Sequence, residues 1–170
     1  MQITFKGEKV TLKGTRLKKG DPFPSFTLVK NDLSVATEKD FSGVRVFLTI
    51  PSLDTGVCDL EIRNFNQKAS ELPDVSICAV SLDLPFAQAR WCGAKGVYAV
   101  TTLSDYRDRS FGMATGTLIE GINLLTRAAF VVNESNVVQY VEYVPEVANH
   151  PDYEKVYRAI SSLLQRKEGK

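Results

Sequence analysis

The feature that most constrains the fold is a strand, a helix and a second strand that follow one another in the middle of the chain. Val44 to Ile50 and Val75 to Leu82 are mainly apolar runs of strand length, which is typical of strands buried inside a sheet. The stretch from Val57 to Ala69 between them is predicted to be a helix. Because two parallel strands need a crossover between them, this order predicts a β-α-β unit.

The rest of the chain is expected to extend this unit into a single α/β domain, residues 1–170, with a central mixed sheet flanked by helices. Further strands are predicted at Phe26 to Val29, Val100 to Leu103, Ala128 to Val132 and Val137 to Val144. Asn133-Glu134-Ser135-Asn136 is a turn sequence, so the last two strands should form an antiparallel hairpin. Another hairpin is expected at about residues 1–13, where Gly7 allows a tight turn.

Two more helices are predicted after the β-α-β unit. The first runs from Pro85 to Cys92, because proline suits a first helical turn and Gly93 suits a C-terminal stop. The second runs from Tyr153 to Leu164 and is expected to bury Val156, Tyr157, Ile160 and Leu164. Residues 166–170 are expected to be a flexible tail.

The composition is that of an ordinary globular domain and excludes several kinds of partner. Apolar residues make up 44% of the 170 residues, charged residues 24%, and the net charge is +1. So small a charge gives no general attraction to nucleic acid, and purely apolar runs of about five residues are too short to span a membrane. Three cysteines without a recognisable export signal predict reduced thiols and a cytoplasmic location.

Cys58 is the first candidate for chemistry. The segment Pro51-Ser52-Leu53-Asp54-Thr55-Gly56-Val57-Cys58 leaves a buried strand, turns at Pro51 and places Cys58 in the first turn of a helix. Free backbone N–H groups and the helix dipole favour the thiolate at such a position. Thr55 can direct its hydroxyl toward the sulfur or toward a substrate oxygen. On spacing alone, a buried cysteine with no chemical role is an equal alternative.

The other residues that could carry chemistry have simpler interpretations. Cys78 lies in the middle of a strand and is expected to be an inert core thiol. Trp91 is interpreted as a packing residue, and His150, the only histidine, falls in a loop unsuited to a Cys-His pair. The cysteines and histidine lack zinc-site spacing, and no phosphate or dinucleotide motif is present, so no cofactor or metal is expected.

Three segments carry a resemblance to a known family. Pro51, Thr55 and Cys58 match the Pro-x-x-x-Thr-x-x-Cys signature of the peroxiredoxins, which are thiol peroxidases with a thioredoxin-like fold. Arg63-x-Phe65-Asn66 and Pro85-Phe86-Ala87-Gln88-Ala89-Arg90-Trp91-Cys92-Gly93 resemble the bacterial thiol peroxidase subfamily, the atypical two-cysteine group. The likeness covers nearly the whole chain, from the N-terminal hairpin to the last helix.

The resemblance implies a role for five residues. Cys58 would be the peroxidatic cysteine that attacks hydrogen peroxide or an alkyl hydroperoxide and becomes a sulfenic acid. Thr55 would hold the peroxide, Pro51 would shield the sulfur, and Arg127 would be the active-site arginine at the start of a late strand. Cys92 would be the resolving cysteine, forming an intrachain disulfide with Cys58 that thioredoxin reduces. The family also implies a homodimer.

Two other functions remain open at this point. One is a thiol-disulfide exchange protein on the same fold, which the lack of a Cys-x-x-Cys motif makes less attractive. The other is a redox-sensing binding module in which oxidation of Cys58 switches an interaction with a partner. Turnover of many peroxides per chain would distinguish an enzyme from such a sensor.

Overall fold

A seven-stranded mixed sheet forms the centre of the molecule. The computed structural model describes residues 1–168. The strands are β1 (Ile3–Phe5), β2 (Glu8–Val10), β3 (Leu12–Lys13), β4 (Thr27–Val29), β5 (Val35–Thr37), β6 (Val44–Thr49), β7 (Val75–Ser81), β8 (Thr101–Ser104), β9 (Leu118–Ile119), β10 (Ala128–Val132) and β11 (Val138–Tyr143). The helices are α1 (Gly56–Ser70), α2 (Pro85–Lys95), α3 (Ser110–Thr115) and α4 (Tyr153–Glu168), with a short 3-10 turn at Glu38–Asp40.

The predicted β-α-β unit is confirmed and lies at the middle of this sheet. The strand order is β11-β10-β6-β7-β8-β4-β5, with β6, β7 and β8 parallel to one another. Strand β10 runs antiparallel to β6 on one side and to β11 on the other, so the predicted terminal hairpin is also confirmed. The register pairs Ala128 with Thr49. The start of β10 therefore lies beside the end of β6, where the chain leaves the sheet toward α1.

Two apolar clusters cover the two faces of the sheet. On one face, α1, α4 and the C-terminal part of α2 pack against the inward side chains of β6 and β7. On the other face, Phe111 of α3 packs with Phe23, Phe26 and Phe47, and the rings of Phe23 and Phe47 stack with centroids 4.8 Å apart. The expected architecture, a mixed sheet with helices on both faces, is confirmed. No helix within residues 1–168 is both long and apolar enough to cross a membrane.

The N-terminal hairpin is shorter than the predicted residues 1–13. Strands β1 and β2 pair around Lys6 and Gly7, both of which have positive φ, as a tight two-residue turn requires. Strand β3 leaves this hairpin and pairs with β9 instead. That pairing joins segments far apart in the sequence, so no local sequence pattern predicted it.

The predicted end of α2 at Gly93 is wrong, because the helix continues to Lys95 and ends at Gly96 in the left-handed conformation. The N–H groups of Gly96 and Val97 both donate to the Cys92 carbonyl, and Val97 is buried. A glycine inside a helix costs only about 1 kcal/mol relative to alanine, so burial of Val97 outweighs the stop signal at Gly93.

Helix α4 also extends beyond its predicted end at Leu164, reaching Glu168. It buries Val156, Ile160 and Leu163, while Tyr157 and Leu164 are only partly buried. Of the expected tail, residues 166–168 belong to this helix, and the last two residues lie outside the described part of the chain.

Two glycines with the same backbone conformation allow a test of how tightly this fold is packed. Gly96 and Gly116 both end a helix with φ of 67°. A Cβ at Gly96 would meet nothing within 4 Å, whereas a Cβ at Gly116 would lie 2.6 Å from the backbone nitrogen of Arg16. We expect Gly96→Ala to lower the free energy of unfolding by about 1 to 2 kcal/mol and Gly116→Ala by about 2 to 4 kcal/mol. Urea denaturation measures both, and equal losses would contradict this account.

Candidate active site

The chain leaves β6 through Pro51, which is buried, and enters α1 at Thr55. Thr55 is the N-cap of α1: its hydroxyl oxygen accepts a hydrogen bond from the Cys58 N–H at 3.3 Å, and the hydroxyl donates to the Ser52 carbonyl at 3.2 Å. Cys58 is thus the third residue of the helix, and its side chain is 0% exposed. The predicted position of Cys58 in the first turn is what the structure shows. The positive end of the helix dipole lies beside its sulfur.

Arg127 supplies a second positive group at the same sulfur. Its Nη2 donates to Cys58 Sγ at 3.1 Å, and its Nε donates to the Val147 carbonyl at 2.8 Å. Its Nη1 forms an ion pair with Glu61. Arg127 immediately precedes β10 and is 1% exposed. Since β10 pairs with β6, the sheet places Arg127 beside the end of the strand that leads to Cys58.

Glu61 is a site residue that the sequence analysis missed. It is 0% exposed, and its second carboxylate oxygen has no hydrogen-bond partner within residues 1–168. Burial raises the pKa of Glu61 to about 7, although the neighbouring Arg127 guanidinium acts in the opposite direction. Glu61 lies three residues after Cys58, so both side chains share one helix face. An acidic residue on the same buried face as Ile62 and Phe65 was the available signal.

Arg127 keeps its charge despite its burial. Burial alone would lower the pKa of its guanidinium, but the charges of Glu61 and Cys58 and their hydrogen bonds more than offset this, and the pKa is raised. The three groups therefore form one buried electrostatic unit of cation, carboxylate and sulfur. Each of the three guanidinium nitrogens donates a hydrogen bond, and together these bonds fix the plane of the guanidinium group beside the sulfur.

Cys92 lies in α2 and belongs to the same apolar cluster as Cys58, and both are unpaired thiols. The Cys92 sulfur is 3.4 Å from the Thr102 hydroxyl, which in turn donates to Asn31 Oδ1 at 3.1 Å. Because the Thr102 proton goes to Asn31, the Thr102 oxygen is left to accept from the Cys92 thiol. Cys92 also lines an open cavity of about 430 Å³ that includes Tyr98. In this state its sulfur is engaged away from the unit formed by Cys58, Glu61 and Arg127.

The remaining candidates lie elsewhere. Cys78 is buried in β7, and burial raises the pKa of its thiol to about 12, an effect that Arg45 partly offsets. These surroundings are those of an inert core cysteine. Trp91 is buried as expected, but its Nε1 also donates to Asp59 at 3.0 Å. His150 is exposed and shares a hydrogen bond of 2.7 Å with the Tyr153 hydroxyl.

The chain is similar to known proteins over nearly its whole length. The sequence pattern of the Redoxin family matches residues 18–157. The chain is 55% identical to a thiol peroxidase of Clostridium acetobutylicum over 159 residues, which are 94% of this chain and 97% of that protein. It is 50% identical to a thiol peroxidase of Bacillus subtilis over 165 residues, which are 96% and 99% of the two chains.

A solved structure is similar as well. A peroxiredoxin-like protein from Aquifex aeolicus is 38% identical, with a TM-score of 0.88, and the match covers 95% of this chain and 96% of that one. The thioredoxin-like α/β fold with an added N-terminal hairpin, expected from the sequence, is confirmed.

The environment of Glu61 predicts an unusual pH dependence of stability. Its folded pKa of about 7 lies above the ordinary value of 4.5, so its contribution to stability is full below pH 4.5 and is lost as the pH rises through 7. Between these values the free energy of unfolding should fall in the native protein relative to Glu61→Gln, by up to about 3 kcal/mol. Chemical denaturation at a series of pH values measures the difference.

The matched control is Glu120→Gln, which changes an exposed carboxylate. Its stability should follow that of the native protein across the same range. A Glu61→Gln profile parallel to the native one would mean that Glu61 does not retain a proton in the folded state.

Proposed function

The chain belongs to the Redoxin family, its activity is the reduction of peroxides by a thiol, and on this premise we propose that Cys58 is the residue that attacks the peroxide. The observation that carries the proposal is the 3.1 Å hydrogen bond from Arg127 Nη2 to the Cys58 sulfur at the start of α1. A buried arginine and a helix N-terminus both favour the anionic sulfur, which is the nucleophilic form of cysteine.

In the proposed reaction the Cys58 thiolate attacks one oxygen of hydrogen peroxide or an alkyl hydroperoxide. The O–O bond breaks, the sulfur is oxidised to a sulfenic acid, and the second oxygen leaves with a proton as water or as an alcohol. Forming the thiolate contributes little by itself, because nucleophilicity falls as a thiol becomes more acidic. Most of the acceleration must come from donors aimed at the oxygens on which negative charge develops. Arg127 is the charged donor closest to the reacting sulfur.

Thr55 and Pro51 complete the proposed pocket. The Thr55 hydroxyl donates to the Ser52 carbonyl while its oxygen caps the Cys58 N–H. The hydroxyl proton can turn from that carbonyl to a peroxide oxygen without loss of the cap, since a hydroxyl donates once and accepts twice. Pro51 closes the end of β6 as a buried ring without an N–H donor, which suits a group that shields the sulfenic acid from water.

The second half of the proposed cycle uses Cys92. Its thiol condenses with the Cys58 sulfenic acid to an intrachain disulfide, and reduced thioredoxin restores both thiols. The two cysteines lie in different helices and Cys92 is hydrogen-bonded to Thr102, so this step requires movement of at least one segment. A disulfide needs Cα atoms within about 7 Å.

We further propose that the protein works as a homodimer in the cytoplasm. Large exposed apolar side chains on α1 and at the start of α2, namely Leu60, Leu84 and Phe86, support the dimer. The three unpaired cysteines support a reducing compartment.

The test of the function is steady-state consumption of hydrogen peroxide and of an alkyl hydroperoxide, coupled to reduced thioredoxin and its reductase. Many turnovers per chain are expected. A single oxidation without turnover would instead favour the redox sensor, and disulfide exchange with thioredoxin without peroxide consumption would favour the exchange protein.

Two cysteine variants separate the proposed nucleophile from a core thiol. Cys58→Ser is expected to abolish peroxide consumption, because serine is not a comparable nucleophile toward peroxide oxygen. Cys78→Ser is the matched control and should keep nearly full activity while folded, since Cys78 is buried in the middle of β7. The assignment fails if Cys58→Ser retains turnover or if folded Cys78→Ser loses it.

Arg127→Lys tests whether the arginine acts on the transition state as well as on the thiolate. Lysine keeps the charge but loses the planar fork, so we expect the rate with peroxide to fall about 100-fold. Titration of the thiol in the same variant gives the loss due to a smaller thiolate fraction. Arg45→Lys, at a buried arginine that hydrogen-bonds to Asn136, is the control. A rate loss fully explained by the smaller thiolate fraction would mean that Arg127 acts only through its charge on the Cys58 thiolate.

A further inference from the structure

One carboxylate joins the helices that carry the two cysteines of the proposed cycle. Asp59 follows Cys58 in α1, and its Oδ1 accepts a hydrogen bond of 3.0 Å from Nε1 of Trp91, the residue before Cys92. The Lys95 ammonium, one turn further along α2, lies 3.6 Å from the same oxygen. We call Asp59, Trp91 and Lys95 the Asp59 clasp. Its contacts cross from the first turn of one helix to the last turns of the other.

The contacts of the Asp59 clasp are shielded from solvent. The Asp59 side chain is 17% exposed and Trp91 is buried, so the charge-assisted hydrogen bond between them is far less screened than a surface ion pair. The other carboxylate oxygen is engaged by Arg63, with Nε at 3.0 Å and Nη2 at 2.9 Å. Arg63 lies in α1 itself, four residues after Asp59, so its contact does not join the two helices.

The two halves of α2 are held by different contacts. The N-terminal half is anchored by buried Gln88, whose amide donates to Ser81 Oγ at 3.1 Å and to the Leu103 carbonyl at 2.9 Å. The C-terminal half, residues 91–95, is held by the Asp59 clasp, by the contact of Cys92 with Thr102 and by the packing of Trp91 and Cys92 in the apolar cluster. Gly93 lies inside this half and weakens the helix there. The C-terminal half of α2 can therefore move while the N-terminal half stays in place.

We propose that Asp59 is a positioning residue that sets the rate of disulfide formation: the Asp59 clasp must open before Cys92 can reach the oxidised Cys58. This inference rests on the proposed function. In the step it controls, the S–O bond of the Cys58 sulfenic acid breaks and an S–S bond to Cys92 forms. The leaving hydroxide takes the Cys92 thiol proton and departs as water, so no further oxidant or reductant is needed.

The Asp59 clasp has a second consequence, because it fixes the lifetime of the sulfenic acid. A second peroxide molecule can oxidise that sulfenic acid to a sulfinic acid before the disulfide forms. The closed clasp keeps α2 folded, and it also lengthens the interval during which this side reaction competes. Loosening the clasp should therefore raise the rate of disulfide formation and lower the yield of sulfinic acid together.

The test uses single-turnover oxidation of the full chain with one equivalent of hydrogen peroxide, and a parallel series with excess peroxide for the sulfinic acid. Samples are quenched with a thiol-alkylating reagent, and mass spectrometry counts sulfenic acid, the Cys58–Cys92 disulfide and sulfinic acid over time. Asp59→Ala removes the clasp, whereas Trp91→Phe keeps an aromatic ring and removes only the N–H donor. Arg63→Gln, which removes the contact within α1, is the matched control. Sulfenic acid formation is followed in the same samples, so attack on the peroxide is separated from disulfide formation.

Disulfide formation is expected to be about tenfold faster in Asp59→Ala and Trp91→Phe, because each variant loses one charge-assisted hydrogen bond that holds α2 closed. Both variants should also form less sulfinic acid at excess peroxide. Arg63→Gln should change the rate less than about twofold. Amide exchange in residues 91–96 of reduced Trp91→Phe should rise, while exchange around Gln88 stays at its native rate.

The outcomes separate this proposal from the one on which it rests. If the native protein forms no Cys58–Cys92 disulfide, the proposed cycle and the clasp both fail. If the disulfide forms but the two clasp variants produce it at the native rate or more slowly, only the clasp is overturned.

Discussion

The buried contact between Arg127 and Cys58 imposes the strictest demand on this structure. A guanidinium removed from water is very costly unless its charge and donors are matched. Glu61 accepts from Nη1 and supplies the opposite charge as the pH rises through its pKa of about 7, and the Val147 carbonyl accepts from Nε. Those partners come from α1 and from the loop after β11, so the start of α1 and the end of β11 must both lie beside the start of β10. The antiparallel pairing of β10 with β6 places Arg127 beside the strand end that leads into α1, and the pairing of β10 with β11 brings the loop that contains Val147 to the same place.

The site divides into parts that are fixed and parts that can move. Pro51 and Arg127 are attached to the ends of β6 and β10, two neighbouring strands in the interior of the sheet. The two cysteines are instead near helix ends, where fewer backbone hydrogen bonds oppose local opening. In the proposed mechanism Pro51 and Arg127 thus stay in place, while Thr55 and the two cysteines sit at or near helix ends that can open.

Local signals in the sequence predicted six of the seven strands of the central sheet and the helices α1, α2 and α4, but they did not predict β5, β9 or α3. The β-α-β unit, the hairpin turn at residues 133–136 and the position of Cys58 follow from patterns of a few residues, and all were confirmed. The end of α2 was placed at Gly93, since the sequence could not show that burial of Val97 would carry the helix to Gly96. The nearness of Arg127 to Cys58 came from the family resemblance and not from spacing, because 69 residues separate them.

The burial of Glu61 beside Cys58 could have been predicted from the sequence, but it was missed. An acidic residue three positions from a candidate cysteine, on the apolar face of its helix, is a local conflict with burial that calls for a partner. Asp59 gave no such signal, since an aspartate in a first helical turn is favourable without any further role. Its contact with Trp91 depends on how α1 and α2 pack, which only the folded chain reveals.

The separation of the two cysteines follows from what the site must exclude. On the proposed mechanism, a second thiol beside Cys58 would occupy the space in which a peroxide meets the Arg127 guanidinium, and it would compete for the same donors. Placing Cys92 in α2, with its proton directed to Thr102, keeps the reduced site free for substrate. The proposed cycle then requires a conformational step, since the Cys92 sulfur that would complete the reaction lies in a folded helix. The fold therefore has to hold α2 firmly enough to protect the reduced site and weakly enough to release it.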